Sequence, residues 1–150
     1  MKAVIQRVKK AQVKVGERVV GKIGPGFLLL VGIRRGDSQK EAQGLAEKIL
    51  KLRIMADEKN HLNKSIIDAN GELLVVPQFT LYADTKKGRR PNFIKAAKPK
   101  TAKKLIDRFV AELKKSGLRV EKGEFGARME VELVNDGPVT IILTQERKKP

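Results

Sequence analysis

The chain has 150 residues, 41% of them hydrophobic and none of them cysteine, and its formal net charge is +16. This length predicts one domain over residues 1–150, with its own core and no separate catalytic module. The absence of cysteine excludes disulfides and thiolate catalysis. Because no apolar run could span a bilayer, we expect no membrane partner and a cytoplasmic location. The charge favours nucleic acid as a partner, and a lysine-rich solubility coat is the alternative.

The first half of the chain predicts four strands and one helix. The helix is capped by Ser38, with Glu41 three residues later to complete a capping box. Its apolar residues recur at spacings of three and four, which gives one face for a core. The strands are predicted over 2–8, 12–15, 18–23 and 27–31, the last apolar throughout and therefore buried on both faces.

The second half predicts a polar loop, a buried strand, a second helix and three closing strands. The helix begins near Pro99, where proline suits the first turn, and ends at Gly117. The loop covers 56–71, the buried strand covers 73–76, and the three strands after the helix cover 119–121, 129–134 and 139–143. Because the strands cluster rather than alternate with helices, we predict an α+β fold with a mostly antiparallel, barrel-like sheet and two main helices.

Several familiar catalytic sites are missing from the sequence. His61 is the only histidine and lies in a polar loop, and no Gly-x-Ser-x-Gly motif surrounds any of the three serines. One histidine without cysteine cannot build a usual zinc site, so we expect no metal and no cofactor. An enzyme with this composition works by positioning and by backbone hydrogen-bond donors, which suits an activated ester.

The segment 86–104 contains nine lysines and arginines among nineteen residues, and no acid. Such a stretch, reaching into the first turns of the second helix, indicates contact with an RNA backbone. The candidate contacts are Lys86, Lys87, Arg89, Arg90, Lys95 and Lys98. Phe93 lies among these charges, where it either stacks on a base or anchors the loop in the core.

Three segments together resemble the D-aminoacyl-tRNA deacylase family of the bacterial and eukaryotic type. They are MKAVIQRV at 1–8, LLVVPQFTLYAD at 73–84 with KGRRP at 87–91, and NDGPVT at 135–140. Their order and spacing fit the family along essentially the whole chain. The resemblance implies a homodimer that hydrolyses the ester bond of D-aminoacyl-tRNA, and of glycine mischarged on tRNA. It implies no cofactor and no DNA partner.

The resemblance also implies a steric gate for handedness at the dimer interface. In the family the Gly-Pro bond is cis, so Gly137–Pro138 is expected to be cis and to reach into the pocket of the other subunit. There it holds the α-amino group of the substrate and excludes an L side chain. Arg7 resembles the arginine that anchors this turn. An ordinary hairpin turn at 135–138 and a solvent-facing Arg7 are the alternatives.

The second of these segments, 73–84 with 87–91, is called the central motif below. It departs from the family at Pro77, where serine is usual. Proline has neither a hydroxyl nor a backbone N–H, so Gln78, Phe79 and Thr80 remain as catalytic candidates. We favour backbone N–H donation from Phe79 and Thr80, with a covalent role for Thr80 or a core role for Phe79 as alternatives. Phe125 and Met129 match a family stretch near the adenine pocket, although core residues would look the same. A non-enzymatic basic RNA-binding protein is the alternative function.

Overall fold

The computed structural model describes residues 1–148, which form eight strands, two α-helices and one 3₁₀ helix. The strands are β1 (Lys2–Val15), β2 (Arg18–Ile23), β3 (Gly26–Gly32), β4 (Met55–Ala56), β5 (Leu62–Lys64), β6 (Glu72–Pro77), β7 (Val120–Lys122) and β8 (Glu130–Thr144). The α-helices are α1 (Gln39–Lys51) and α2 (Pro99–Lys114), and the 3₁₀ helix covers Phe79–Tyr82.

The main sheet is mixed rather than mostly antiparallel, which corrects the prediction. β1 pairs antiparallel with β8 on one side, and with β3 and then β2 on the other. The pairs β3–β6 and β6–β7 are parallel. They are parallel because α1 and α2 lie in the two connections, and a parallel pair needs a crossover of that length. The α+β class with two main helices is confirmed.

The sheet curls into a nearly closed barrel because β2 approaches β7. A side-chain carbon at Gly21 of β2 would lie 2.8 Å from the Lys122 carbonyl oxygen of β7. Only glycine fits this approach without moving the backbone of one strand. The barrel-like shape predicted from the sequence is therefore present in a mixed sheet.

The core has two parts, one on each face of the sheet. Alternate residues of β3 and β6 point to opposite faces, so Phe27 and Leu73 join one part and Leu28 and Leu74 the other. The larger part is covered by both α-helices. The Ser38–Glu41 capping box forms as predicted, with the Ser38 N–H donating to the Glu41 carboxylate at 2.6 Å. The predicted burial of 27–31 on both faces is largely confirmed, with Leu30 half-buried.

The last strand is a single element where the sequence predicted two strands and a turn. β8 runs from Glu130 to Thr144, and its pairing with β1 shifts at the Gly-Pro segment. Gln6 pairs with Thr140 and Val8 with Asn135, so 136–139 lie opposite one residue of β1. The extra residues form an irregular bulge, because β1 continues to pair with β8 on both sides of it. The hairpin alternative for 135–138 is therefore wrong.

Candidate active site

The central motif begins within β6 and, after Pro77, turns away from the core. The Gln78 N–H donates to the Val31 carbonyl at 2.8 Å, which extends the parallel pairing by one bond. The chain then enters the 3₁₀ helix, where Phe79 is 57% exposed. Phe79 is not a core residue, so that alternative is wrong. The turn presents Phe79 and Thr80 at the surface.

The backbone donors at this turn are available to a ligand. The first N–H groups of a helix have no partner within the helix. Among residues 1–148, the N–H groups of Phe79 and Thr80 donate to no acceptor. The Gln78 side-chain amide donates to the Thr80 hydroxyl. Thr80 therefore bonds to an amide, which is not a base that could activate it as a nucleophile.

Tyr82 lies on the buried side of the turn. Its ring lies beneath the Lys2 ammonium, 5.0 Å from the ring centroid, and its side chain is buried. Its hydroxyl is the one buried side-chain polar atom without a hydrogen-bond partner among the described residues. Burial, assisted by the negative charge of Asp37, raises the pKa of the Tyr82 phenol well above its usual range. The phenol therefore stays neutral, and the side chain contributes by packing in the protein interior.

The Gly-Pro segment is held by Arg7 from the neighbouring strand. Arg7 is only 8% exposed, and its Nε donates to the Asp136 carbonyl at 3.0 Å. Its Nη1 donates to the Ile54 carbonyl at 2.9 Å. Arg7 thus does not lie on a solvent face, and its side chain contacts the Gly-Pro segment through Asp136. No local pattern indicated the Ile54 carbonyl as a partner of Arg7, because this contact joins residues 47 positions apart.

The bond between Gly137 and Pro138 is cis, as the resemblance implied. Gly137 has φ of 128°, a conformation that residues with side chains rarely adopt, and a side-chain carbon there would lie 3.1 Å from Arg7 Nη2. Gly137 and Pro138 are both exposed. The buried Arg7 and the exposed pair together make an anchored projection from the sheet surface.

A cavity of about 330 Å³ adjoins the central motif. It brings Pro77 and Phe125 together, with Ile106 of α2 and Val20 of β2 on its wall. Met129 does not line the cavity. Its sulfur lies behind Gly123, 2.7 Å from where a side-chain carbon on that glycine would be, and it packs against the smaller core.

Charged side chains from β2, α2, β7 and the loop after β7 surround this cavity, and they were not identified from the sequence. They are Arg18, Lys103, Asp107, Lys122 and Glu124. Asp107 lies 3.9 Å from Lys103 and 3.6 Å from Lys122, and Arg18 lies 3.6 Å from Glu124. No local pattern could have indicated them, because they meet only through the curvature of the barrel.

The predicted RNA contacts lie on the surface between the central motif and α2. Asp84 and Asn92 form a two-residue bridge that closes the loop carrying Lys86, Lys87, Arg89 and Arg90. Lys95 pairs weakly with Asp84 at 4.0 Å, and Lys98 is the N-cap of α2. Of the six predicted contacts, only Lys95 has an acidic partner within the described part of the chain. The positive charge of this surface is therefore largely uncompensated.

Two further properties concern the described residues alone. In residues 1–148 no group of three histidine, cysteine, aspartate or glutamate side chains is placed to hold a metal ion. No helix in the same range has the length and hydrophobicity needed to cross a membrane.

Comparisons with known proteins agree with this geometry. The family D-Tyr-tRNA(Tyr) deacylase matches residues 4–144. A D-aminoacyl-tRNA deacylase of Roseiflexus sp. (strain RS-1) is 58% identical over 143 residues, which cover 95% of this chain and 92% of that protein. A solved structure named c-Myc DNA Unwinding Element Binding Protein is 42% identical, with a TM-score of 0.91 over 98% of this chain and 100% of that one.

A second solved structure is described as a structural analysis of a probable eukaryotic D-amino acid tRNA deacylase. It has a TM-score of 0.80 over 95% of this chain and 97% of that one, at 18% identity, and so supports the fold alone. The family match and the 58% identical relative carry the stronger conclusion. The chain belongs to the D-Tyr-tRNA(Tyr) deacylase family, and the hydrolase class predicted from its sequence is confirmed.

Proposed function

We propose that the protein hydrolyses the ester bond of D-aminoacyl-tRNA, and of glycine mischarged on tRNA, as a homodimer. The relative from Roseiflexus sp. carries the name D-aminoacyl-tRNA deacylase. The single observation that carries the proposal is the pairing of two surface features. One is the turn with free N–H groups at Phe79 and Thr80, and the other is the Arg7-anchored Gly137–Pro138 projection.

The backbone N–H groups of Phe79 and Thr80 stabilise the oxyanion. Water attacks the ester carbonyl carbon, the carbonyl oxygen becomes negative, and these two donors bind it. The bond to the ribose oxygen then breaks, and that oxygen leaves with a proton as the tRNA hydroxyl. Pro77 takes no part as donor or nucleophile, because it has neither N–H nor hydroxyl. The 2′-hydroxyl of the terminal adenosine assists the attacking water.

The terminal adenosine lies in the cavity between Pro77 and Phe125. The cavity of about 330 Å³ is at the lower end of the range for a small-ligand site. Pro77 lies two residues before Phe79, the first of the free donors, so a nucleoside bound here places its ester beside them. Phe125 supplies an aromatic surface, and Met129 supports the wall through Gly123.

Selection for handedness comes from the Gly137–Pro138 projection of the second subunit. Its carbonyl groups hold the α-amino group and leave no room for an L side chain, while a D side chain points out of the pocket. Glycine has no side chain to exclude, so it is also accepted. This is rejection by rigid backbone, which needs no favourable contact with the correct side chain.

The register of the sheet supports a site shared between two subunits. Pro77 pairs with Val31, which pairs with Ala3, four residues along β1 from Arg7. β8 and β6 are separated by β1 and β3. Along the sheet this is about 13 Å in the strand direction and about 14 Å across three strand spacings. Within one subunit, the projection therefore lies this far from Pro77. The projection that lies beside the turn is supplied by a second copy of the chain.

The basic loop from Lys86 to Arg90 and the start of α2 bind the phosphates of the acceptor end. Uncompensated surface cations are the usual source of such affinity. The alternative is a basic protein that binds nucleic acid without catalysis. Because the name of the 42% identical structure refers to DNA binding, DNA is included as a competitor in the test below. A pure binder has no use for the anchored Gly137–Pro138 projection.

The decisive test incubates the protein with D-Tyr-tRNA and L-Tyr-tRNA in the presence of a chelator. We expect loss of the D ester only. Equal loss of both esters, or loss of neither, would reject the proofreading activity. An esterase for free amino acid esters would act equally on D-tyrosine methyl ester and be indifferent to salt. A duplex DNA that competes as well as tRNA would favour the binding alternative.

The shared site is tested with heterodimers purified through two different tags. One subunit carries Phe79→Pro, which removes a donor N–H, and the other carries Gly137→Ala with Pro138→Ala. If the projection acts across the interface, the one working turn faces an intact projection, and the heterodimer remains selective for D esters. An unselective heterodimer would mean that each subunit uses its own projection.

A further inference from the structure

An apolar patch lies on the surface beside the proposed ester site. It consists of Phe79 and Phe93, whose rings are in contact, and of Ile94, the exposed residue that follows Phe93 in the chain. Phe79 is 57% exposed and Ile94 is 69% exposed, while Phe93 is half-buried. The rings of Phe79 and Phe93 meet edge to face, with centroids 5.0 Å apart and an angle of 70° between their planes. The patch therefore offers an aromatic surface to solvent.

The backbone around Phe93 holds this patch in place. Asp84 and Asn92 exchange two backbone hydrogen bonds, of 2.8 and 3.0 Å, immediately before Phe93. The Ala96 N–H donates to the Phe93 carbonyl at 3.0 Å, and the Ala97 N–H donates to the Ile33 carbonyl at 3.0 Å. Backbone hydrogen bonds thus hold the chain both before and after Phe93, so a ligand meets a surface that is already formed.

The charge around the patch indicates which ligand it fits. The loop with Lys86, Lys87, Arg89 and Arg90 is closed by the same Asp84–Asn92 bridge that positions Phe93. These four side chains have no acidic partner within residues 1–148. Aromatic side chains bordered by unpaired cations are the usual means of binding unpaired nucleotides, with bases stacked and phosphates neutralised. A protein partner would need acidic groups opposite this loop and would not need the rings.

We propose that Phe93 and Ile94 form a stacking subsite for the nucleotide on the 5′ side of the terminal adenosine. The inference rests on the proposed function, because it takes the ester to lie at the neighbouring Phe79 turn. The ring of Phe93 stacks on the base, Ile94 covers its edge, and the loop binds the connecting phosphate. The subsite raises affinity for a substrate with more than one nucleotide and leaves the chemical step unchanged.

The test compares two substrates that differ only in length. One is D-tyrosyl-adenosine, and the other is the same ester on a trinucleotide that ends in adenosine. Phe93→Leu keeps an apolar contact with Phe79 but removes the aromatic face. We expect it to lower kcat/KM for the trinucleotide at least about fivefold, mainly through KM, since stacking contributes that much per base. Hydrolysis of D-tyrosyl-adenosine should remain unchanged.

Two companion variants complete the design. Phe93→Trp retains an aromatic face and should restore activity on the trinucleotide. Ile67→Ala removes another exposed apolar side chain, in a turn distant in sequence, and should affect neither substrate. An equal fall for both substrates in Phe93→Leu would overturn the subsite, because Phe93 would then act only by positioning Phe79.

Three further outcomes would count against the subsite or against the proposed function. No effect on either substrate would overturn the subsite while leaving the proposed function intact. A change of oligomeric state in Phe93→Leu, measured by light scattering, would overturn it as well, because the patch would then be a contact between subunits. Failure of the unaltered protein to hydrolyse either D ester would instead reject the proposed function.

Discussion

The Gly137–Pro138 bulge and the Phe79 turn both present backbone groups at the surface, but they are held in different ways. The bulge is held from outside, by the Arg7 side chain bonded to a carbonyl 129 residues away in sequence. The turn is held by backbone hydrogen bonds, from the Gln78 N–H to the Val31 carbonyl of β3 and from the Leu81 N–H to the Gln78 carbonyl. The bulge should therefore be sensitive to one side chain, whereas the turn should tolerate side-chain changes.

The largest effect is expected for Arg7→Met. Methionine keeps much of the apolar stem but leaves the Ile54 and Asp136 carbonyls without their charged donor. We expect a loss of about 3 kcal/mol in the free energy of unfolding, measured by urea denaturation, because two bonds from a buried charged group are lost. Selectivity for D over L esters should fall in the same variant.

The control for this variant is Arg128→Met, since Arg128 is exposed. It should change the free energy of unfolding by no more than about 0.5 kcal/mol. If Arg7→Met were equally harmless, the bulge would be held by the pairing of β8 alone, and the contrast between the two regions would disappear.

A smaller effect is expected for Gly137→Ala. Alanine at φ of 128° is strained, and its methyl group would lie 3.0 Å from a Val139 side-chain carbon and 3.1 Å from Arg7 Nη2. We expect a loss of about 2 kcal/mol in stability and weaker discrimination against L-Tyr-tRNA. Both are measurable on the same preparation, by denaturation and by ester hydrolysis.

Gly16→Ala is the matched control, because Gly16 has φ of 61° in the β1–β2 turn and no atom within 4 Å of the added carbon. Its cost should be about 1 kcal/mol, with D selectivity unchanged. A selectivity as high in Gly137→Ala as in Gly16→Ala would show that the projection does not discriminate between enantiomers.

Thr80→Ala in the turn should have a smaller effect than Gly137→Ala in the bulge. This change removes the hydroxyl that accepts from Gln78 but keeps the backbone N–H. We expect kcat to fall about tenfold, the equivalent of one well-placed hydrogen bond, with little change in stability. Total loss of activity with unchanged tRNA binding would favour Thr80 as a nucleophile.

The sequence predicted the elements whose signal is local. The spacing of Ala42, Leu45 and Ile49 and the Ser38–Glu41 box predicted α1, because a helix is specified by residues three and four apart. The apolar run 27–31 predicted a strand buried on both faces for the same kind of reason. The parallel pairs were missed, since strand order depends on where α1 and α2 cross over, and no single strand encodes that.

The site was predicted unevenly, and the β8 bulge explains why. Asn135–Asp136–Gly137–Pro138 has the composition of a turn, and local propensity favoured a hairpin. Pairing with β1 on both sides overrode that propensity and left the segment as a bulge opposite Arg7. The alternation of β1 could not place Arg7 inside or outside, because its surroundings come from Ile54 and Asp136, both distant in sequence.

The smallest effect is expected for Tyr82→Phe, which tests the turn from its buried side. The Tyr82 hydroxyl is buried without a hydrogen-bond partner among the described residues, so it contributes desolvation cost and no compensating bond. The variant should be equally stable or up to about 1 kcal/mol more stable, by thermal or urea unfolding, with D ester hydrolysis unchanged. The ring and its contact with Lys2 remain. A clear loss of stability would mean that a bound water satisfies the hydroxyl, and that the turn depends on a side chain as the bulge does.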